Sequence, residues 1–205
     1  MLRLRHAQLA RPDAADRRDP RCGRLARPRD PARLTLRTLV LGLGNEYAGD
    51  DAVGVLAVRA LWDEIHDVAD IVESAASGLA LLEVFAGYDR AVVIDSIRTS
   101  RSPAGTIVEL GIADIGNVVA PSLHHAGIPE LAAIAERLGL RFPAETSVFA
   151  VEVAAPPTFG APLNEPVAAA VGRLVRLVRA RIELWATQDA VLHEQNEALC
   201  TTTTQ

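Results

Sequence analysis

Short apolar runs alternate with helix-period segments along the middle of the chain, from about residue 36 to about residue 185. Thr38-Leu-Val-Leu-Gly-Leu43 is an apolar run bounded by glycine, the pattern of a strand covered on both faces in a parallel sheet. Gly44-Asn45 follows, and then a predicted helix from about Asp50 to Ile65 with Val53, Leu56, Ala57, Ala60 and Leu61 on one face. Asp70–Glu73 reads as a second strand, Gly78–Phe85 as a short helix, and Arg90–Asp95 as another buried strand that ends in a carboxylate. Gly105–Leu110 alternates like a strand after the turn Ser102-Pro-Ala-Gly105. Pro129–Leu138 is a helix closed by Gly139, and Thr146–Val153 is rich in strand formers. Asn164 to about Trp185 is a long helix, with Asn164 as N-cap and Glu165-Pro166 in its first turn. Strands alternating with helices predict an α/β fold, a three-layer α/β/α sandwich around a mainly parallel twisted sheet.

The two ends fall outside this pattern. Residues 1–34 are dense in Arg, Pro and Asp without an apolar period, and read as a disordered extension. Residues 188–205, ending in Thr-Thr-Thr-Thr-Gln, read as a mobile tail, which leaves 35–187 as the folded domain. Charge divides in the same way: residues 1–37 hold eleven Arg and four Asp, whereas the rest holds ten Arg and 22 acids. The body is therefore acidic, which argues against a nucleic-acid-binding surface on it. Cys22 and Cys200 lie in the two weakest segments and supply neither a disulfide framework nor a metal knuckle. No run of about 18 apolar residues predicts a membrane span, and the N-terminus lacks the apolar stretch of a secretory signal. A cytoplasmic monomer without membrane insertion is the expectation.

Ligands of open α/β sheets bind beyond the carboxyl ends of the strands, and three polar clusters follow apolar runs there. Gly42-Leu-Gly-Asn-Glu-Tyr-Ala-Gly-Asp-Asp-Ala-Val-Gly54 begins like a dinucleotide turn, but Tyr47 stands where the third glycine belongs. Adjacent Asp50 and Asp51 at a helix N-terminus would also repel a pyrophosphate. The ordinary role for such acids is N-capping, and since one suffices, the other is left to face the crevice. Asp95 ends its apolar strand and is expected to point into the same crevice, although an Asp before Ser96 can also simply start a turn. The third cluster is Ser122-Leu-His-His-Ala-Gly127, with His124 and His125 just before a helix. Two carboxylates and an imidazole from three loops make an O,O,N set for a divalent metal, or else the carboxylates act as acid and base on a water. No GxSxG elbow is present, which disfavours a covalent serine mechanism.

These blocks in this order resemble the hydrogenase maturation endopeptidases: Gly42-x-Gly44-Asn45 with Asp50-Asp51-x-x-Gly54, then Val93-Ile94-Asp95, then Ser122-x-His124-x-x-Gly127-x-x-Glu130-Leu131. Val151-Glu152-Val153 and Leu163-Asn164-Glu165-Pro166-Val167 look like the family's last strand and final helix. The resemblance spans about residues 36–183 and implies a phosphorylase/hydrolase-like sandwich. It also implies an endopeptidase that removes the C-terminal extension of a nickel–iron hydrogenase large-subunit precursor once nickel is inserted. Carried over by motif, the metal-contacting residues are Asp51, Asp95 and His124, with Asp51 and Asp95 also the best catalytic candidates. The nickel would belong to the precursor and serve as the recognition element, with no permanent cofactor on the protease; cadmium or zinc would stand in for it in vitro.

The chain departs from the family pattern in two places. Glu73-Ser-Ala-Ala-Ser-Gly78 replaces an Asp and a glycine-rich turn, and Glu46 stands where an apolar residue is usual. His125 beside His124 leaves the ligand ambiguous by one position. The departures leave a second reading open, a nickel-dependent binding or chaperone module that holds the immature subunit without cutting it.

Overall fold

The computed structural model describes residues 36–115 and 127–202, with side chains as far as Val191. Its strands are β1 (Thr38–Leu43), β2 (Asp70–Ser74), β3 (Arg90–Ile97), β4 (Ile107–Gly111) and β5 (Glu145–Glu152). They form one sheet in the order β2-β1-β3-β5-β4, parallel throughout except for β4, which pairs antiparallel at the edge. The helices are α1 (Val53–Ile65), α2 (Ala80–Phe85), α3 (Ile112–Ile115), α4 (Ile128–Leu138) and α5 (Glu165–Thr202).

Strand alternation sends successive side chains to opposite faces, and each face builds its own core. Val40, Val92, Ile94, Phe149 and Val151 pack with Val53, Ala57 and Leu61 of α1 and with Val167, Leu174 and Val178 of α5. Leu39, Leu41, Ala91, Val93 and Val148 pack on the other face with Leu81 and Phe85 of α2 and with Ile128 and Leu131 of α4. The sheet thus lies between two helical layers, the expected α/β/α sandwich. Gly139 closes α4 in the left-handed conformation at φ 64°, as its position in the sequence predicts. At the N-terminal edge of the described body, the Arg37 guanidinium donates to Asp70 at 2.7 Å, and its backbone N–H donates to Asp89 at 2.8 Å.

The end of α5 corrects the sequence reading. The helix does not stop near Trp185 but continues to Thr202, through the stretch expected to be a tail from Gln188. Between Ala186 and Thr202 there is no Gly or Pro to end it, and Ala, Leu, Gln and Glu favour continuation. The added turns also make a contact that extends the folded domain past 187. Arg90, only 4% exposed, donates to Asp189 at 2.7 Å, to the Trp185 carbonyl at 3.3 Å and to Glu145 at 3.1 Å, with its guanidinium 5.5 Å from the Trp185 ring centroid. A chain ending at Thr187 would leave this buried cation short of one charged partner. We expect a stability loss of about 1–2 kcal/mol in urea unfolding. An unchanged midpoint would show that the Asp189 contact contributes nothing.

Candidate active site

The sheet order reverses between β1 and β3, since the chain leaves β1 toward β2 and then returns on the opposite side. In open α/β sheets ligands bind at such a switch point, beyond the carboxyl ends of the two strands, and both predicted carboxylates lie at that end. Asp51 lies in a 3₁₀ turn, Gly49–Ala52, between β1 and α1, and Asp95 lies on β3 just beyond its last pairing with β1, Gly42↔Ile94. Ser96 links them: its N–H donates to Asp95 Oδ1 at 2.7 Å and its hydroxyl to Asp51 Oδ1 at 3.4 Å.

Asp95 sits deeper than expected. It does not end its strand, because β5 continues to pair with β3 through Ser96↔Val151 and Ile97↔Glu152. The carboxylate is fully buried (0%) and shares the face of Ala91 and Val93 rather than standing open in a crevice. Asp51 is nearly as enclosed, at 7%.

Glycine makes this geometry feasible. Gly44 has φ +132°, and a Cβ there would lie 1.8 Å from the Asp51 carbonyl oxygen. Gly54 lets the start of α1 press onto the sheet, since a Cβ would lie 2.3 Å from the Leu43 carbonyl oxygen and 2.4 Å from that of Ile94. Between the two glycines the chain turns at Asn45–Ala48, closed by the Ala48 N–H donating to the Asn45 carbonyl at 3.0 Å. The Asn45 side chain accepts from the Tyr47 N–H at 3.0 Å, an Asx turn. The Asn45 N–H in turn donates to Asp51 Oδ2 at 2.8 Å. The same short loop therefore orients the Asp51 carboxylate.

The capping role expected for one of the two acids is not what forms: neither caps its own helix. Asp50 instead reaches the far end of the chain, accepting from the Asn164 N–H and the Asn164 side-chain amide, both at 2.7 Å. It fixes the loop that leads into α5, whose first turn closes on the Asn164 carbonyl. Asn164 thus joins Asp50 through its side-chain NH2 and the start of α5 through its backbone carbonyl. A further buried acid at this end of the sheet, Glu152, accepts from the Thr99 N–H, the Thr99 hydroxyl and the Ser100 N–H at 2.6–2.8 Å. Those donors fill it, and its work is to hold the loop after β3. His124 and His125 lie outside the described residues, as does Ser122. Among the described residues, no group of three or more His, Cys, Asp or Glu is placed to hold a metal.

The two departures from the family pattern meet. Arg59 on α1 donates through Nε and Nη2 to Glu73 at 2.7–3.0 Å, and through Nη1 to Glu46 at 2.9 Å. Hydrogen bonding to Glu73 raises the guanidinium's pKa, and hydrogen bonding to Arg59 holds the Glu46 carboxyl below its usual range. The loop after β1 is thereby tied to the end of β2 by a side chain that neither motif contains.

No protein-family model matches the chain. Over 153 residues it is 29% identical to the hydrogenase expression/formation protein HupD of Rhizobium leguminosarum bv. viciae, covering 70% of this chain and 75% of that protein. Over 77 residues it is 34% identical to the hydrogenase 2 maturation protease of Escherichia coli K12, covering 37% of this chain and 47% of that protein. Its fold is similar to that of the hydrogenase maturating endopeptidase HybD of E. coli, with TM-score 0.62 and 26% identity over 72% of this chain and 93% of that one. A [NiFe] hydrogenase maturation protease HybD of Thermococcus kodakarensis matches at TM-score 0.57 and 26% identity, over 72% of this chain and 99% of that one. In sequence and in fold, the chain is similar to hydrogenase maturation proteases, as its motifs imply.

Proposed function

We propose that the chain is an endopeptidase that removes the C-terminal extension of a nickel–iron hydrogenase large-subunit precursor after nickel insertion. The observation that carries this reading is the pair Asp51 and Asp95 at the β1–β3 switch point, in a chain related to hydrogenase maturation proteases. In this reading, nickel arrives with the precursor, and Asp51, Asp95 and His124 contact it there. Carboxylate oxygens and an imidazole suit such a borderline cation, and Asn45 and Ser96 orient the carboxylates as outer partners. The work of the site is to hold the precursor's metal and so place one peptide bond beside two carboxylates able to move protons. No resident cofactor is required, and the protease works as a cytoplasmic monomer.

The experiment is incubation of the purified chain with nickel-loaded precursor, followed by intact-mass measurement of the large subunit. Loss of a C-terminal fragment that depends on nickel is the expected outcome. A stable complex with no mass loss would make the chain a holding module instead. Cleavage of nickel-free precursor at the same rate would remove nickel from recognition.

A further inference from the structure

Two aromatic rings stand exposed beside the loop that holds Asp51, on a backbone that is held in place. Tyr47 is 61% exposed and Phe159 80%, and their ring centroids lie 6.2 Å apart at a 39° tilt. Each sits at the corner of a tight turn. Tyr47 is the third residue of the Asn45–Ala48 turn, with its N–H on the Asn45 side chain. Phe159 is the second residue of a turn closed by the Ala161 N–H on the Thr158 carbonyl at 3.2 Å, with Gly160 at φ +79° in the position that type II turns reserve for glycine. The Gly160 N–H donates to the Tyr47 carbonyl at 2.7 Å and locks the two turns together. Folding leaves large apolar surfaces in water here, yet fixes their backbones, which lowers the ordering cost of any partner contact.

We propose that Tyr47 and Phe159 form an apolar lip that seats a bulky aliphatic or aromatic side chain of the peptide segment entering the Asp51–Asp95 site. This rests on the reading of the chain as a peptide-processing enzyme and adds the substrate feature recognised beside the cut. Position supports it, because Tyr47 lies two residues from Asn45, whose N–H holds Asp51. Charge narrows the occupant. Glu46 adjoins Tyr47, and Arg59 is already shared between Glu46 and Glu73, so the rim is negative on balance. The segment that fits is extended, carries one large apolar side chain and is not acidic.

The test uses the full chain, a double variant Tyr47→Ala/Phe159→Ala, and a second double variant Tyr47→Leu/Phe159→Leu. The probes are nickel-loaded large-subunit precursor and the same precursor with the bulky apolar residues flanking its cut changed to serine. With the first precursor, the alanine pair should raise KM about tenfold with kcat nearly unchanged, and the leucine pair should restore most of the affinity. With the serine-substituted precursor, wild type and alanine pair should have the same KM. An unchanged KM, a fall in kcat alone, or equal losses on both precursors would overturn the lip. Direct binding of precursor separates this from the reading beneath it. If wild type binds without cutting and the alanine pair weakens that binding, the protease reading falls and the lip stands. If wild type neither binds nor cuts, both fall.

Discussion

Asp51→Asn should cut precursor processing about 100-fold or more while leaving the thermal unfolding midpoint near that of wild type. The amide oxygen can still accept the Asn45 N–H, and its NH2 can donate to the Ser96 hydroxyl, so the loop keeps its shape. What disappears is the negative charge and the ability to take up a proton or ligate a metal. Asp50→Asn should behave differently, for a reason that lies far along the chain. Its amide oxygen can accept the Asn164 N–H, and turning over the Asn164 amide lets the new NH2 donate in its place. Most activity should survive. Asp50→Ala leaves the Asn164 N–H without that acceptor and should cost about 1–3 kcal/mol of stability. The carry-over of the histidine predicts the same split, with His124→Ala inactive and His125→Ala mild. The measurement is precursor cleavage by each purified variant, with its melting curve recorded beside it. Dead Asp50→Asn and His125→Ala beside active Asp51→Asn and His124→Ala would move the site by one residue in both loops.

The fold was legible because its strands are buried on both faces. A run such as Ala91-Val-Val-Ile94 is apolar without alternation, and the intervening helices carry their own period. Boundaries were legible where chemistry marks them, as Gly139 does for α4. They were not where the cause is tertiary. Nothing in the residues around Asp95 says that β3 continues to Ile97; that follows from the length of β5 beside it. Nor does local sequence mark an end for α5, and its continuation gains from Arg90, a residue 99 positions away from its Asp189 partner. The rule that terminal stretches fray gives way when they carry helix formers and a partner for a buried cation.

The candidate site divides along the same line. That Asp51 and Asp95 stand at the carboxyl ends of neighbouring strands could be read from polar residues placed just past apolar runs, given the rule for open α/β sheets. The roles of their neighbours could not. Two adjacent acids before a helix look like caps, and the partner that overrules this for Asp50 is Asn164, 114 positions away. Ser96 passes for an ordinary residue of a turn until β3 and the Gly49–Ala52 turn bring its two donors to two different carboxylates. Glu46 and Glu73 look like separate lapses from a motif, and only the packing of α1 shows Arg59 meeting both.

Gly54→Ala should be strongly destabilising, and Gly172→Ala, also inside a helix, should be stabilising. Helix propensity alone favours alanine at both positions by about 0.5–1 kcal/mol. At Gly172, nothing opposes this gain, since the nearest atom to a new Cβ is the guanidinium nitrogen of Arg176 at 3.9 Å. At Gly54, the new carbon would lie 2.3 Å and 2.4 Å from carbonyl oxygens of β1 and β3, inside any real carbon–oxygen contact. Neither neighbour is a side chain that can rotate away. Both are backbone of central strands whose registers are fixed on either side, so α1 must lift from the sheet instead. Lifting it opens the packing of Val53, Ala57 and Leu61 against Val40 and Ile94. We expect a net loss of about 2–4 kcal/mol, the upper range for an overpacked core, against a gain of about 0.5 kcal/mol at Gly172. Because Asp51 lies just ahead of the helix that moves, processing by Gly54→Ala should fall further than its stability loss explains, even at a temperature where the variant is fully folded. Urea unfolding of the two variants, paired with cleavage assays below their melting points, reads both effects. A Gly54→Ala protein as stable and active as wild type would mean that α1 does not sit against β1 and β3 as closely as these contacts require.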